Sequence, residues 1–72
     1  MEQTIIEMFN SLEDGYYISF VCANENYNFT LRKGDTFRFI DDKTLVTHRE
    51  SGRTTIINLN LIIGICITKE WI

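Results

Sequence analysis

Seventy-two residues, 44% of them hydrophobic, supply one domain with a core and exclude intrinsic disorder. A net charge of −3 argues against indiscriminate affinity for nucleic acid. No apolar run is long enough to span a bilayer, and Glu2 and Glu7 sit where a secretory leader carries positive charge, so a cytoplasmic protein without membrane contacts is expected.

The charge is unevenly spread. The first fourteen residues hold Glu2, Glu7, Glu13 and Asp14 with no basic residue. The stretch from Thr30 to Arg53 sets Arg32, Lys33, Arg38, Lys43, Arg49 and Arg53 against Asp35, Asp41, Asp42 and Glu50. The middle is mildly basic and the N-terminus acidic; mixed charge on solvent-facing strand positions accounts for both.

Ile5, Met8, Phe9 and Leu12 recur at i, i+3, i+4 and i+7, which predicts one apolar helix face over about 2–12. Asp14-Gly15 is expected to stop it. Such a helix either lids an open end of the fold or docks on a partner. Strict alternation of Tyr16, Ile18, Phe20 and Cys22 against Tyr17, Ser19, Val21 and Ala23 predicts a strand over 16–23. Asn24-Glu25-Asn26 reads as a turn.

From Tyr27 the odd positions 27, 29, 31, 37 and 39 stay apolar across Lys33-Gly34-Asp35 without a change of phase. One long strand over 27–40, bent at Gly34, explains that most simply; a hairpin turn there is the other reading. Asp41-Asp42-Lys43 is a polar turn, in which adjacent carboxylates ordinarily cap. A strand over 44–50 follows, and Ser51-Gly52-Arg53 closes a tight hairpin. The run Thr54–Thr68 is the densest apolar segment and is rich in β-branched residues. Asn58 and Asn60 interrupt it, which divides it into strands over 54–59 and 61–68. Trp71 is expected to pack back on the sheet or in a subunit contact.

Chemistry-bearing patterns are sparse. Cys22 and Cys66 lie far apart on predicted strands, with no Cys/His spacing, and are expected as buried reduced thiols; no metal or cofactor is implied. His48 is the only histidine, and half-exposure beside the Ser51-Gly52 turn explains it. The four glycines are scattered singly, so no phosphate loop exists. An enzyme is not expected. Alternation sends Tyr16, Tyr27, Phe29, Phe37 and Phe39 to core faces. Tyr17, with Arg32 and Arg38 on solvent-facing positions, is the best candidate for stacking on a base.

A short helix followed by five strands with a bent second strand resembles the bacterial Sm-like, or Hfq, family of RNA chaperones. Phe39-Ile40-Asp41-Asp42-Lys43-Thr44-Leu45-Val46 is similar to the family's first motif, and Ile57–Ile65 to its second, with Ile57, Ile62 and Ile65 at the apolar positions. The resemblance spans roughly residues 4–67 and rests on strand spacing. It implies a mostly β, strongly bent, five-stranded antiparallel small barrel of Sm-like or SH3-like type.

It also implies a homo-oligomeric ring built by pairing strand edges within 54–68. Single-stranded RNA would be bound at Asn58, Asn60 and Lys43, with Arg32, Arg38 and Tyr17 nearby, in a post-transcriptional regulator. The family's Tyr-Lys-His stretch is replaced here by Asn58-Leu59-Asn60, its helix glutamine has no secure counterpart beyond Gln3, and Lys43-Thr44 takes the place of an aromatic. The competing function is a small protein-interaction module or regulatory accessory factor, which suits the acidic net charge.

Overall fold

The computed structural model describes residues 1–23 and 28–70. Its elements are helix α1 (Glu2–Asn10) and strands β1 (Tyr16–Cys22), β2 (Asn28–Arg32), β3 (Thr36–Asp41), β4 (Thr44–His48), β5 (Thr54–Asn58) and β6 (Ile62–Lys69). A 3-10 turn, Leu59–Leu61, separates the last two strands. The expected turn at Asn24-Glu25-Asn26, the strand start at Tyr27 and the packing of Trp71 all lie outside the described residues.

The strands form two antiparallel three-stranded sheets, ordered β2-β1-β6 and β3-β4-β5. This corrects the expected five-stranded barrel. The predicted long strand over 27–40 is two strands that pair in different sheets. They do not pair with each other, so the hairpin reading fails as well.

Asp35 explains the break. It is 7% exposed, its Oδ2 accepts the Arg32 N–H (2.9 Å), and its own N–H donates to the Arg32 carbonyl (2.9 Å). Its Oδ1 accepts the Glu50 N–H at 3.2 Å, which ties the β2–β3 turn to the β4–β5 turn. A carboxylate so placed satisfies backbone donors that a sheet ladder would otherwise need to fill.

The alternation is realised. Ile18 faces Leu31 and Ile67, and Phe20 faces Phe29 and Ile65, on the inner side of the first sheet. Leu45 faces Phe39 and Ile57 on the inner side of the second. The core joins Ile5 and Leu12 to Ile18, Phe20, Leu31, Leu45, Ile57 and Leu59. Each fully buried aliphatic or aromatic side chain contributes about 1.5–3 kcal/mol. Phe9 meets Phe37 edge-on with ring centroids 5.0 Å apart, and Phe37 meets Phe39 at 5.8 Å, so α1 lies over the second sheet.

α1 ends earlier than its apolar spacing predicts. The Ser11 hydroxyl donates to the Glu7 and Met8 carbonyls, and the chain leaves the helix before Leu12, which is nevertheless buried. Gly15, at φ 84°, then turns the backbone into β1, a left-handed conformation that glycine adopts without steric cost. In β6 one extra residue, Ile63, bulges between the Val21–Gly64 and Cys22–Ile62 pairs and is 70% exposed. Among the described residues no helix is long and apolar enough to cross a membrane.

Candidate functional site

The six residues expected to meet RNA fall in three places. Lys43, Asn58 and Asn60 come together at one end of the β4–β5 pair. The Leu59 N–H donates to the Lys43 carbonyl at 2.7 Å, and Thr44 stands opposite Asn58 in register, so the β3–β4 turn and the 3-10 turn abut. All three side chains are exposed. The Asn58 side-chain oxygen accepts the Asn60 N–H at 3.0 Å and caps the turn, which commits that oxygen to structure.

The neighbouring Asp41 is equally committed. Its Oδ1 accepts the Lys43 N–H at 2.8 Å, and that bond, with help from the Thr44 side chain, holds its carboxyl below the ordinary value of 3.8. The expected capping role of the Asp41-Asp42 turn is therefore met by Asp41.

Tyr17 and Arg32 meet each other and are both half-buried. They are opposite in register, and the Arg32 guanidinium stands over the Tyr17 ring, 4.8 Å from its centroid. Arg32 Nε and Nη2 donate to Glu70 Oε1 at 3.2 and 3.1 Å, and its Nη1 donates to Thr30 Oγ1 at 3.0 Å. One face of Tyr17 is thus covered and most donors of Arg32 are engaged. Arg38 lies elsewhere, exposed on the outer side of the second sheet opposite Val46. Gln3 is exposed on α1, where its side chain donates to Glu7 Oε1 at 3.2 Å.

Cys22 is buried as expected, but Cys66 is exposed, because β6 is an edge strand and alternation turns Cys66 to its outer side, opposite Ser19. His48 is half-buried, with Nδ1 3.0 Å from Thr54 Oγ1 across the β4–β5 pair.

Two features escape a reading of the sequence by motif. One is which side chains the apolar run 54–68, expected to supply strand edges, leaves in solvent. β5 and β6 are outer strands of the two sheets, and they and the turn between them expose Ile56 (66%), Leu61 (54%), Ile63 (70%) and Ile67 (45%). The other is the pair Arg49 and Arg53, which flank the Ser51-Gly52 turn and face a cleft beside β2. Their positions near a tight turn gave the only hint, since an arginine there reads equally well as solvated charge. Comparison with protein-family models, curated proteins and solved structures gives no match to this chain.

Proposed function

We propose that the chain is a divergent Sm-like protein that assembles into a ring and binds single-stranded RNA where Lys43, Asn58 and Asn60 meet. The observation that carries the reading is the pair of open, aliphatic edge strands, β5 and β6, joined through the turn that holds Asn60. An unpaired edge bearing Ile56, Ile63 and Ile67 without proline is a template for another strand. Pairing β5 of one copy with β6 of the next is a head-to-tail contact, and such contacts close into rings when the rotation permits. Each copy then contributes one Lys43–Asn58–Asn60 cluster to a shared surface. Repetition of a weak polar and basic site around a ring raises affinity for a continuous strand without new contacts. The cation Lys43 meets phosphate, and the carboxamides meet base edges.

A second function, a protein-interaction module free of nucleic acid, is favoured by Ile40 and Ile56, both exposed on the second sheet, and by the net charge of −3.

Light scattering after size-exclusion chromatography, with absorbance at 260 and 280 nm, separates the two. A closed oligomer that co-elutes with nucleic acid is expected, and Asn58→Ala combined with Asn60→Ala lowers RNA retention while the oligomer persists. Nucleic-acid-free monomers or dimers sink the ring and leave the protein-binding reading. Unchanged RNA affinity in the double variant discards the Lys43–Asn58–Asn60 site.

A further inference from the structure

The inner face of the β4–β5 hairpin changes character along its length. Leu45 opposite Ile57 is core; one step on, Thr47 stands opposite Thr55; beyond them the Arg49 N–H donates to the Arg53 carbonyl at 2.7 Å. By alternation the same side of the hairpin therefore runs from aliphatic through hydroxyl to guanidinium. Across from it lies β2. Between the two is a cleft of about 150 Å³ lined by Asn28, Thr30, Thr47, Arg49, Arg53 and Thr55, with Phe29 at its wall.

Among the described residues no carboxylate lines this cleft, and neither Arg49 nor Arg53 forms an ion pair. The nearest buried acid, Asp35, has its two oxygens taken by the Arg32 and Glu50 amides. Arg49 Nη2 donates to Thr30 Oγ1 at 2.7 Å, and Arg32 Nη1 donates to the same oxygen at 3.0 Å. A hydroxyl oxygen that accepts twice directs its own proton to a third partner. The cleft thus gathers guanidinium and hydroxyl donors, with two like charges on one hairpin, while the acids Asp35 and Glu50 line the adjoining hollow that shares Thr30 and Arg49 with it. Its volume is below the roughly 300–1,000 Å³ of sites that engulf drug-sized ligands, and suits a small oxyanion or the charged end of something larger.

We propose that this cleft is a phosphate-binding site, which takes a phosphate group that is free or carried at the end of a small phosphorylated molecule. Arg49 and Arg53 supply the fork-shaped donors that match phosphate oxygens, and the Thr30, Thr47 and Thr55 hydroxyls with Asn28 complete the shell. The site is independent of the ring and of RNA at Lys43. It lies at the opposite end of the hairpin, six residues of extended chain or roughly 20 Å away.

The test is an NMR titration of the ¹⁵N-labelled full chain with inorganic phosphate at constant ionic strength, against sodium chloride as reference. Saturable shifts of the Arg49 and Arg53 side-chain N–H signals and of the Asn28 and Thr30 amides are expected. Arg53→Gln, at an exposed position, should weaken binding about tenfold through loss of a charge-assisted donor, whereas Lys33→Gln, paired with Asp14 on another face, should leave it unchanged. Thr55→Val serves as a second variant that keeps shape and charge, and should also weaken binding. A nucleoside 5′-monophosphate that binds more tightly than inorganic phosphate identifies an esterified ligand; equal affinities identify free phosphate. Shifts that stay linear, that chloride reproduces, or that persist undiminished in both Arg53→Gln and Thr55→Val overturn the site.

Discussion

Asp35 shows how much one side chain decides here. It is buried, accepts backbone N–H groups from Arg32 and Glu50, and so fixes where β2 stops and how two turns meet. Removing the carboxylate leaves two donors without partners. Asp35→Ala is expected to lower stability by about 2–4 kcal/mol, since bonds to charged acceptors contribute about 1.5–3 kcal/mol each and orphaned donors add cost. Asp35→Asn, which keeps one acceptor oxygen, should lose less. Urea denaturation of the two variants measures this, and equal stability of Asp35→Ala and the parent refutes it. An irregularity at Lys33-Gly34-Asp35 was legible in the sequence, as a bend in one strand or a hairpin turn, but not as a change of sheet. The partner at Glu50 was not, because a contact made across fifteen residues leaves no mark on local pattern. Arg49 and Arg53 were illegible for the same reason: only the approach of β2 turns two turn-flanking cations into one lining.

At the scale of elements, periodicity located the helix and the strand faces but could not assign strands to sheets. Positions 29, 31, 37 and 39 remain apolar through Gly34 because both β2 and β3 face the same core. The chain changes sheet there while its inward face is unbroken, so the pattern reads as one strand. The break between β5 and β6 was visible, since Asn58 caps the 3-10 turn with its side chain. The end of α1 was not, because Ser11 competes for the carbonyls that helical spacing assigns onward. The helix is held by burial more than by its ends: Ile5 is fully buried within the shared core, and no side-chain bond caps its N-terminus. Ile5→Ala should cost about 2–5 kcal/mol, the range for deleting buried methyl groups. Ile6→Ala, at a half-buried position on the same helix, should cost clearly less. Thermal melts of the two variants decide whether α1 is a structural lid. Near-equal losses would instead mean that the helix is loosely seated and free to serve a partner.

For the molecule as a whole, size and topology press in the same direction. A chain of 72 residues sits near the lower limit for an independent core, and two three-stranded sheets leave more unpaired edge than a closed barrel. Ile56 and Ile63 on those edges are the most exposed large apolar side chains among the described residues. If assembly covers them, the folded state is stabilised by mass action, and the melting midpoint must rise with protein concentration. For a domain of this size each kcal/mol corresponds to about 4–8 °C, so a hundredfold concentration range should move the midpoint by several degrees. Ile56→Lys and Ile63→Lys place charge on the two edges, as natural sheets do to prevent pairing. Each should abolish the concentration dependence while leaving the far-ultraviolet circular dichroism of the fold intact, because both side chains point away from the core. A midpoint that stays flat in the parent chain means the edges are tolerated unpaired, and the ring loses its physical motive.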